Sequence, residues 1–174
     1  GMHYTTLTAA IKDLVSRGVD GPIRLLLSAG TYDEALSLPD IAGLSETNTL
    51  TIEPISGRGG EVTLTNTHYR KVDYGDNKPG YFNVEGADYV TLRALTFTSE
   101  KSDAPALLLV RNGSQHLTID DCELSAPRTT LYNEGDMALI RTARGNQPSP
   151  NNDFLTLRNS HLIGGYSAIY ADGL

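Results

Sequence analysis

Apolar and polar residues alternate with a period of two through three segments that can be written under one another. They are Val90-Thr91-Leu92-Arg93-Ala94-Leu95-Thr96-Phe97, Leu117-Thr118-Ile119-Asp120-Asp121-Cys122-Glu123-Leu124 and Leu155-Thr156-Leu157-Arg158-Asn159-Ser160-His161-Leu162. A period of two is that of a strand with one face inside. It predicts Val90 and Leu92, Leu117 and Ile119, and Leu155 and Leu157 in a core, with Thr91, Thr118 and Thr156 outside. After a two-residue corner the pattern resumes with Leu95 and Phe97, Cys122 and Leu124, and Ser160 and Leu162. The segments start 27 and then 38 residues apart. Constant strands on a varying repeat length describe a solenoid whose loops differ from coil to coil.

Stacked strands lie about 4.8 Å apart, so each column of the alignment predicts a contact. Arg93, Asp120 and Arg158 form an outer column of alternating sign, Asp121 falls at a corner with Ala94 and Asn159, and Cys122 is a small core residue. A helical period appears at the start, where Leu7, Ala10, Ile11, Leu14 and Val15 share one face; the pattern predicts a helix from Tyr4 to Arg17, closed by Gly18 and Gly21. Ile23 to Leu27 reads as a buried strand, and Leu50-Thr51-Ile52 repeats the strand signature in miniature. Carrying the offset of 38 further lays Leu131-Tyr132-Asn133-Glu134-Gly135 over Ile169-Tyr170-Ala171-Asp172-Gly173. Tyr132 would then stack on Tyr170, and Glu134 on Asp172 as a candidate Ca²⁺ pair; acidic residues before glycine are also ordinary turn chemistry. No other cofactor is expected.

Three polar insertions, Thr65 to Gly80, Ala126 to Asp136 and Ala143 to Asp153, interrupt the repeat. Loops on a rigid scaffold commonly carry binding residues. The first holds His68, Arg70 and Lys71 with Tyr69, Tyr74 and Tyr81 at or beside it, a basic and aromatic cluster in a chain of net charge −7. Arg70, Lys71, Tyr74, Arg128, Tyr132 and Tyr170 are therefore the candidate carbohydrate contacts, with guanidinium meeting a sugar carboxylate and ring meeting a sugar face. The acidic balance argues against a nucleic-acid partner. A single Cys122 excludes an internal disulfide and a cysteine-rich zinc site. No apolar run is long enough for a membrane helix, and no signal peptide is read.

Tyr4-Thr5-Thr6-Leu7-Thr8-Ala9-Ala10-Ile11, an apolar strand, and then Ala29-Gly30-Thr31-Tyr32-Asp33-Glu34 resemble the start of pectinesterase-type right-handed parallel β-helices of the pectin lyase-like superfamily. There a capping helix leads into a strand and a Gly-x-Tyr-x-Glu turn. Cys122 to Tyr132 is also similar to the family segment running from a Cys to Gln-Asp-Thr-Leu-Tyr. Thr130, Leu131 and Tyr132 agree, but Arg128 stands at the oxyanion-stabilising Gln and Thr129 at the acid/base Asp. De-esterification needs a nucleophilic carboxylate, a second carboxyl group and oxyanion donors, so the departures fall on the chemistry. Asp153-Phe154 has a faint likeness to the family's Asp-Phe motif, and Arg128 and Asp153 are the catalytic candidates that remain. Asp120-Asp121-Cys122 resembles a hydrolase motif, but its columns assign it to wall, corner and core.

The resemblance implies an all-β, right-handed parallel β-helix with a cap over residues 2–22 and a partial helix of few rungs over residues 23–174. It also implies a secreted or cell-surface location and a polysaccharide partner. Since Leu174 interrupts a repeat, another copy of the chain or the continuation of a longer one is expected to cover that end. Two functions follow: a carbohydrate-binding, non-catalytic module, or a fragment of a polysaccharide lyase or pectinesterase-like enzyme acting on uronic-acid-containing polysaccharide.

Overall fold

The computed structural model describes residues 2–70, 78–128, 137–143 and 151–171. The chain coils through five rungs of three strands each. These are β1 (Ile23–Leu27), β2 (Gly30–Asp33) and β3 (Ser37–Pro39); β4 (Leu50–Pro54), β5 (Val62–Thr65) and β6 (Phe82–Glu85); β7 (Val90–Arg93), β8 (Thr96–Thr98) and β9 (Ala106–Arg111); β10 (Thr118–Asp120), β11 (Glu123–Ala126) and β12 (Ala138–Thr142); and β13 (Thr156–Arg158), β14 (His161–Gly164) and β15 (Ser167–Ala171). Corresponding strands pair in parallel to form three five-stranded sheets: A from β1, β4, β7, β10 and β13; B from β2, β5, β8, β11 and β14; C from β3, β6, β9, β12 and β15. The architecture is a right-handed parallel β-helix.

Sheets A and B have the register that the sequence predicts. Thr118 pairs with Thr91 and Thr156, Ile119 with Leu92 and Leu157, and Asp120 with Arg93 and Arg158; Leu124 pairs with Phe97 and Leu162. Ile52, Leu92 and Ile119 form a fully buried file. Each such side chain contributes about 1.5–3 kcal/mol by leaving water. The corner residues Ala94, Asp121 and Asn159 all adopt left-handed backbone, with φ of 53°, 54° and 51°. That conformation turns the chain between sheets A and B in two residues, and repeating it keeps successive rungs aligned.

The helix α1 (Leu7–Arg17) begins three residues later than Tyr4. Thr6 is extended and its hydroxyl accepts from the Ala9 N–H at 3.1 Å, which fixes it as the N-cap. Glu34, in the turn after β2, completes the cap by accepting from the N–H groups of Leu7 (3.0 Å) and Thr8 (2.9 Å). Glu34 thus anchors the helix over the first rung, satisfying donors that a helix start leaves unpaired.

Sheet C departs from the expected register. Ile169 lies on Ile140 and Tyr170 on Arg141, 29 residues apart; Tyr132, the partner expected for Tyr170, lies outside the described residues. The offset of 38 holds for sheet B, where Glu123 pairs with His161. It shortens in sheet C because residues 127–137 separate β11 from β12, whereas Gly165 and Tyr166 alone separate β14 from β15.

Candidate functional site around sheet C

All three insertions border sheet C. The first leads into β6, the second leads into β12, and the third leaves β12 towards β13. The outer face of this sheet is therefore flanked by inserted loops along both edges. In β9 every residue from Ala106 to Val110 is buried, as expected of a strand covered on both sides.

The first loop folds back over the sheet. Asn83 points outward and holds it through both amide atoms, accepting from the Gly80 N–H (2.8 Å) and donating to the Gly80 carbonyl (3.1 Å). Tyr69 stacks on Tyr81 with ring centroids 4.4 Å apart and donates its hydroxyl to the Pro79 carbonyl. Tyr81 donates to Asp103. Burial pushes the Tyr69 phenol up to about 12, and burial followed by the Asp103 hydrogen bond raises Tyr81 as well. These rings pack against one another and tie down the loop, while Arg70 stands exposed beside them. Near the loop's start, Thr67 donates its N–H (2.8 Å) and hydroxyl to Asp33, and His68 Nε2 lies 3.8 Å from the same carboxylate. The Thr67 hydroxyl bond is the main cause holding Asp33 below the usual carboxylate range.

On the fourth and fifth rungs the outer face presents Arg141 and Tyr170, with the guanidinium carbon 4.9 Å from the ring centroid. This is a cation–π pair. Arg128 is exposed where the second loop begins, and its backbone nitrogen lies close to Gly164. Gly164 has φ of 81°, and a Cβ there would sit 1.9 Å from the Ala126 carbonyl oxygen, so only glycine allows the two rungs to meet at this point. At the far edge, Arg111 pairs with Glu85 through Nε at 2.8 Å.

Asp153 is exposed at that far edge, and its carbonyl accepts from the His116 N–H at 3.1 Å. The neighbouring Phe154 ends a stack in which Tyr89, His116 and Phe154 follow one another at 4.4 Å, all three with left-handed backbone. Arg128 thus lies where the chain enters sheet C and Asp153 where it leaves towards sheet A, with the five residues of β12 between them in the fold. They border the outer face of sheet C from its two edges. Lys71, Tyr74, Tyr132, Glu134 and Asp172 lie outside the described residues. Among the described residues no three His, Cys, Asp or Glu side chains gather as metal ligands.

The Asp120-Asp121-Cys122 segment is structural, as its columns predict. Asp120 accepts from Arg158 Nη2 and Asn159 Nδ2, both at 3.0 Å, and the Arg158 bond leads the causes that lower its carboxyl below the usual range. Cys122 is buried, and desolvation pushes its thiol up to about 11, far from a reactive thiolate at neutral pH. Arg141, the central cation of the face, was not singled out by sequence reasoning. The short apolar run Met137 to Ile140 is a detectable strand signal, but only sheet pairing reveals that Arg141 meets Tyr170.

The sequence matches no protein-family model and no curated protein. Among solved structures the chain is similar to the pectin methylesterase from Aspergillus niger in deglycosylated form, with 17% identity and a TM-score of 0.52. The match covers 97% of this chain and 52% of that one, so the chain spans about half the length of the enzyme it resembles. No helix among the described residues is long and apolar enough to cross a membrane. Taken with the three parallel sheets, the likeness makes this chain a right-handed parallel β-helix with a pectinesterase-like fold.

Proposed function

We propose that this chain is a carbohydrate-binding part of an extracellular β-helix protein that handles uronic-acid-containing polysaccharide, and that the outer face of sheet C contacts the sugar. The observation that carries this reading is the Arg141–Tyr170 pair on a sheet flanked by all three inserted loops. A guanidinium recognises a sugar carboxylate in a planar, two-bond geometry, and an aromatic ring offers a surface for a sugar face. Arg70 and Arg128 add positive charge at the margin where the first two loops emerge. Binding is favoured over catalysis because Arg128 and Thr129 stand where the family that the sequence resembles carries its oxyanion-stabilising Gln and its acid/base Asp.

Isothermal titration with polygalacturonate oligomers and a neutral galactan tests it. The acidic oligomer should bind and the neutral one should bind at least tenfold more weakly. The paired variant Arg141→Ala/Tyr170→Ala should lose about tenfold or more in affinity. Acidic and neutral glycans binding alike, or not at all, would remove the basis of the reading. Methanol release from esterified pectin would move the assignment to an enzyme.

A further inference from the structure

Two rows of side chains run along the outer wall of sheet A, away from the face just described. One is Thr51, Thr91, Thr118 and Thr156, paired through successive strands β4, β7, β10 and β13. The other is a charge row. Arg24 Nη2 lies 2.6 Å from Glu53, whose second oxygen is 3.9 Å from Arg93 Nη1; Arg93 Nε is 4.0 Å from Asp120, which Arg158 contacts at 3.0 Å.

The row is layered by depth. The side chains of Glu53 and Asp120 are only 3% and 10% exposed, whereas those of Arg24, Arg93 and Arg158 are 65%, 53% and 60% exposed. A ligand approaching the wall therefore meets guanidinium first. Each guanidinium has five N–H donors, more than the carboxylates beneath it engage. Arg93 and Arg158 share one column on β7 and β13, two rungs or about 9.6 Å apart at a rung spacing of about 4.8 Å, while Arg24 on β1 pairs with Thr51, so it heads the threonine column and reaches Glu53 diagonally. The threonine row lies two residues back along the same strands, about 6.6 Å away.

We infer that the outer wall of sheet A is a second track for an acidic polysaccharide, laid along the helix axis at about one sugar per rung, with alternate carboxylates on Arg93 and Arg158 and with Arg24 reaching in from the neighbouring column. An extended uronan of two-fold symmetry presents the same carboxylate edge at every second sugar, which is the interval between Arg93 and Arg158. The threonine hydroxyls fall where sugar hydroxyls would lie. A neutral glycan would match the threonine row alone. Nucleic acid fits poorly, since no aromatic side chain lies in either row to stack a base. The inference rests on the acidic-polysaccharide reading above but places a contact on a different wall.

Titration of polygalacturonate oligomers into the wild type, Arg93→Gln/Arg158→Gln, Asp120→Asn and Arg141→Ala/Tyr170→Ala separates the possibilities. Each exposed arginine should account for about fivefold, so Arg93→Gln/Arg158→Gln should weaken binding about twenty-fivefold. Asp120→Asn, which removes an anion from beneath two arginines, should tighten binding severalfold while lowering stability; a purely structural ladder would show only the second effect. Should the double glutamine variant not fold, Arg93→Lys/Arg158→Lys keeps the charges and loses the planar fork, and a severalfold loss is still expected. Wild-type affinity in the folded arginine variants, or no tightening in Asp120→Asn, would overturn the inference. Loss in Arg141→Ala/Tyr170→Ala alone would do so while leaving the sheet C reading in place. No binding by the wild type would end both.

Discussion

Replacing Asp120 by Asn tests whether the charge row holds adjacent rungs together. The side chain keeps its shape and an acceptor for Asn159 but loses its charge towards Arg158 at 3.0 Å and Arg93 at 4.0 Å. Both arginines are more than half exposed, so solvent screens each pair to about 1 kcal/mol or less. The expected loss is about 1–1.5 kcal/mol, which at an m-value of about 2 kcal/mol/M lowers the urea midpoint by about 0.5–0.8 M. The pH dependence follows from linkage. Because Arg158, Asn159 and Arg93 depress the folded pKa of Asp120, its contribution is present above the unfolded value of about 3.9 and disappears as pH falls through the lower folded value. The gap between wild type and Asp120→Asn should therefore be full at pH 6 and narrow below about pH 4. Asp33 titrates alike in both proteins and cancels. Urea curves at pH 6, 5, 4 and 3 read the difference directly. A gap of the same size at every pH would show that the ion pairs are not its source, and no gap at pH 6 would refute the magnitude.

Two further outcomes are expected. Glu34→Ala removes the acceptor for two N–H groups at the start of α1 and should cost about 1–2 kcal/mol, with hydrogen exchange rising first in residues 7–10. Cys122 should resist a thiol reagent at pH 8 in the native protein and react fully in denaturant; rapid native labelling would contradict its burial.

Much of sheets A and B was legible in the sequence because their strands are joined by two-residue corners in rungs three to five. With so short a connection, the spacing that aligns β10 with β13 also aligns β11 with β14, and the columns of Arg93, Cys122 and Phe97 follow. Sheet C was harder to read because the loop entering it changes length from rung to rung, so the register of Tyr170 cannot be carried over from Leu155. The charge row was read for Arg93, Asp120 and Arg158 but missed at its other end. Glu53 directly continues the Leu50-Thr51-Ile52 alternation, and that was the available signal. Arg24 joins the row diagonally from the adjacent rung: it pairs with Thr51 in the threonine column and reaches Glu53 two residues further on.

The contrast between the two corners also bears on how this molecule could be altered. Between sheets B and C the chain crosses with three residues (34–36), sixteen (66–81), seven (99–105), eleven (127–137) or two (Gly165 and Tyr166), and each strand of sheet C still pairs in parallel with its neighbours. That edge tolerates length because loop closure depends only weakly on it. A foreign segment spliced between Gly165 and Tyr166 would emerge beside Arg141 and Tyr170 with β14 and β15 still in place. The fold thus acts as a graduated holder, with a graft position on every rung about 4.8 Å from the next.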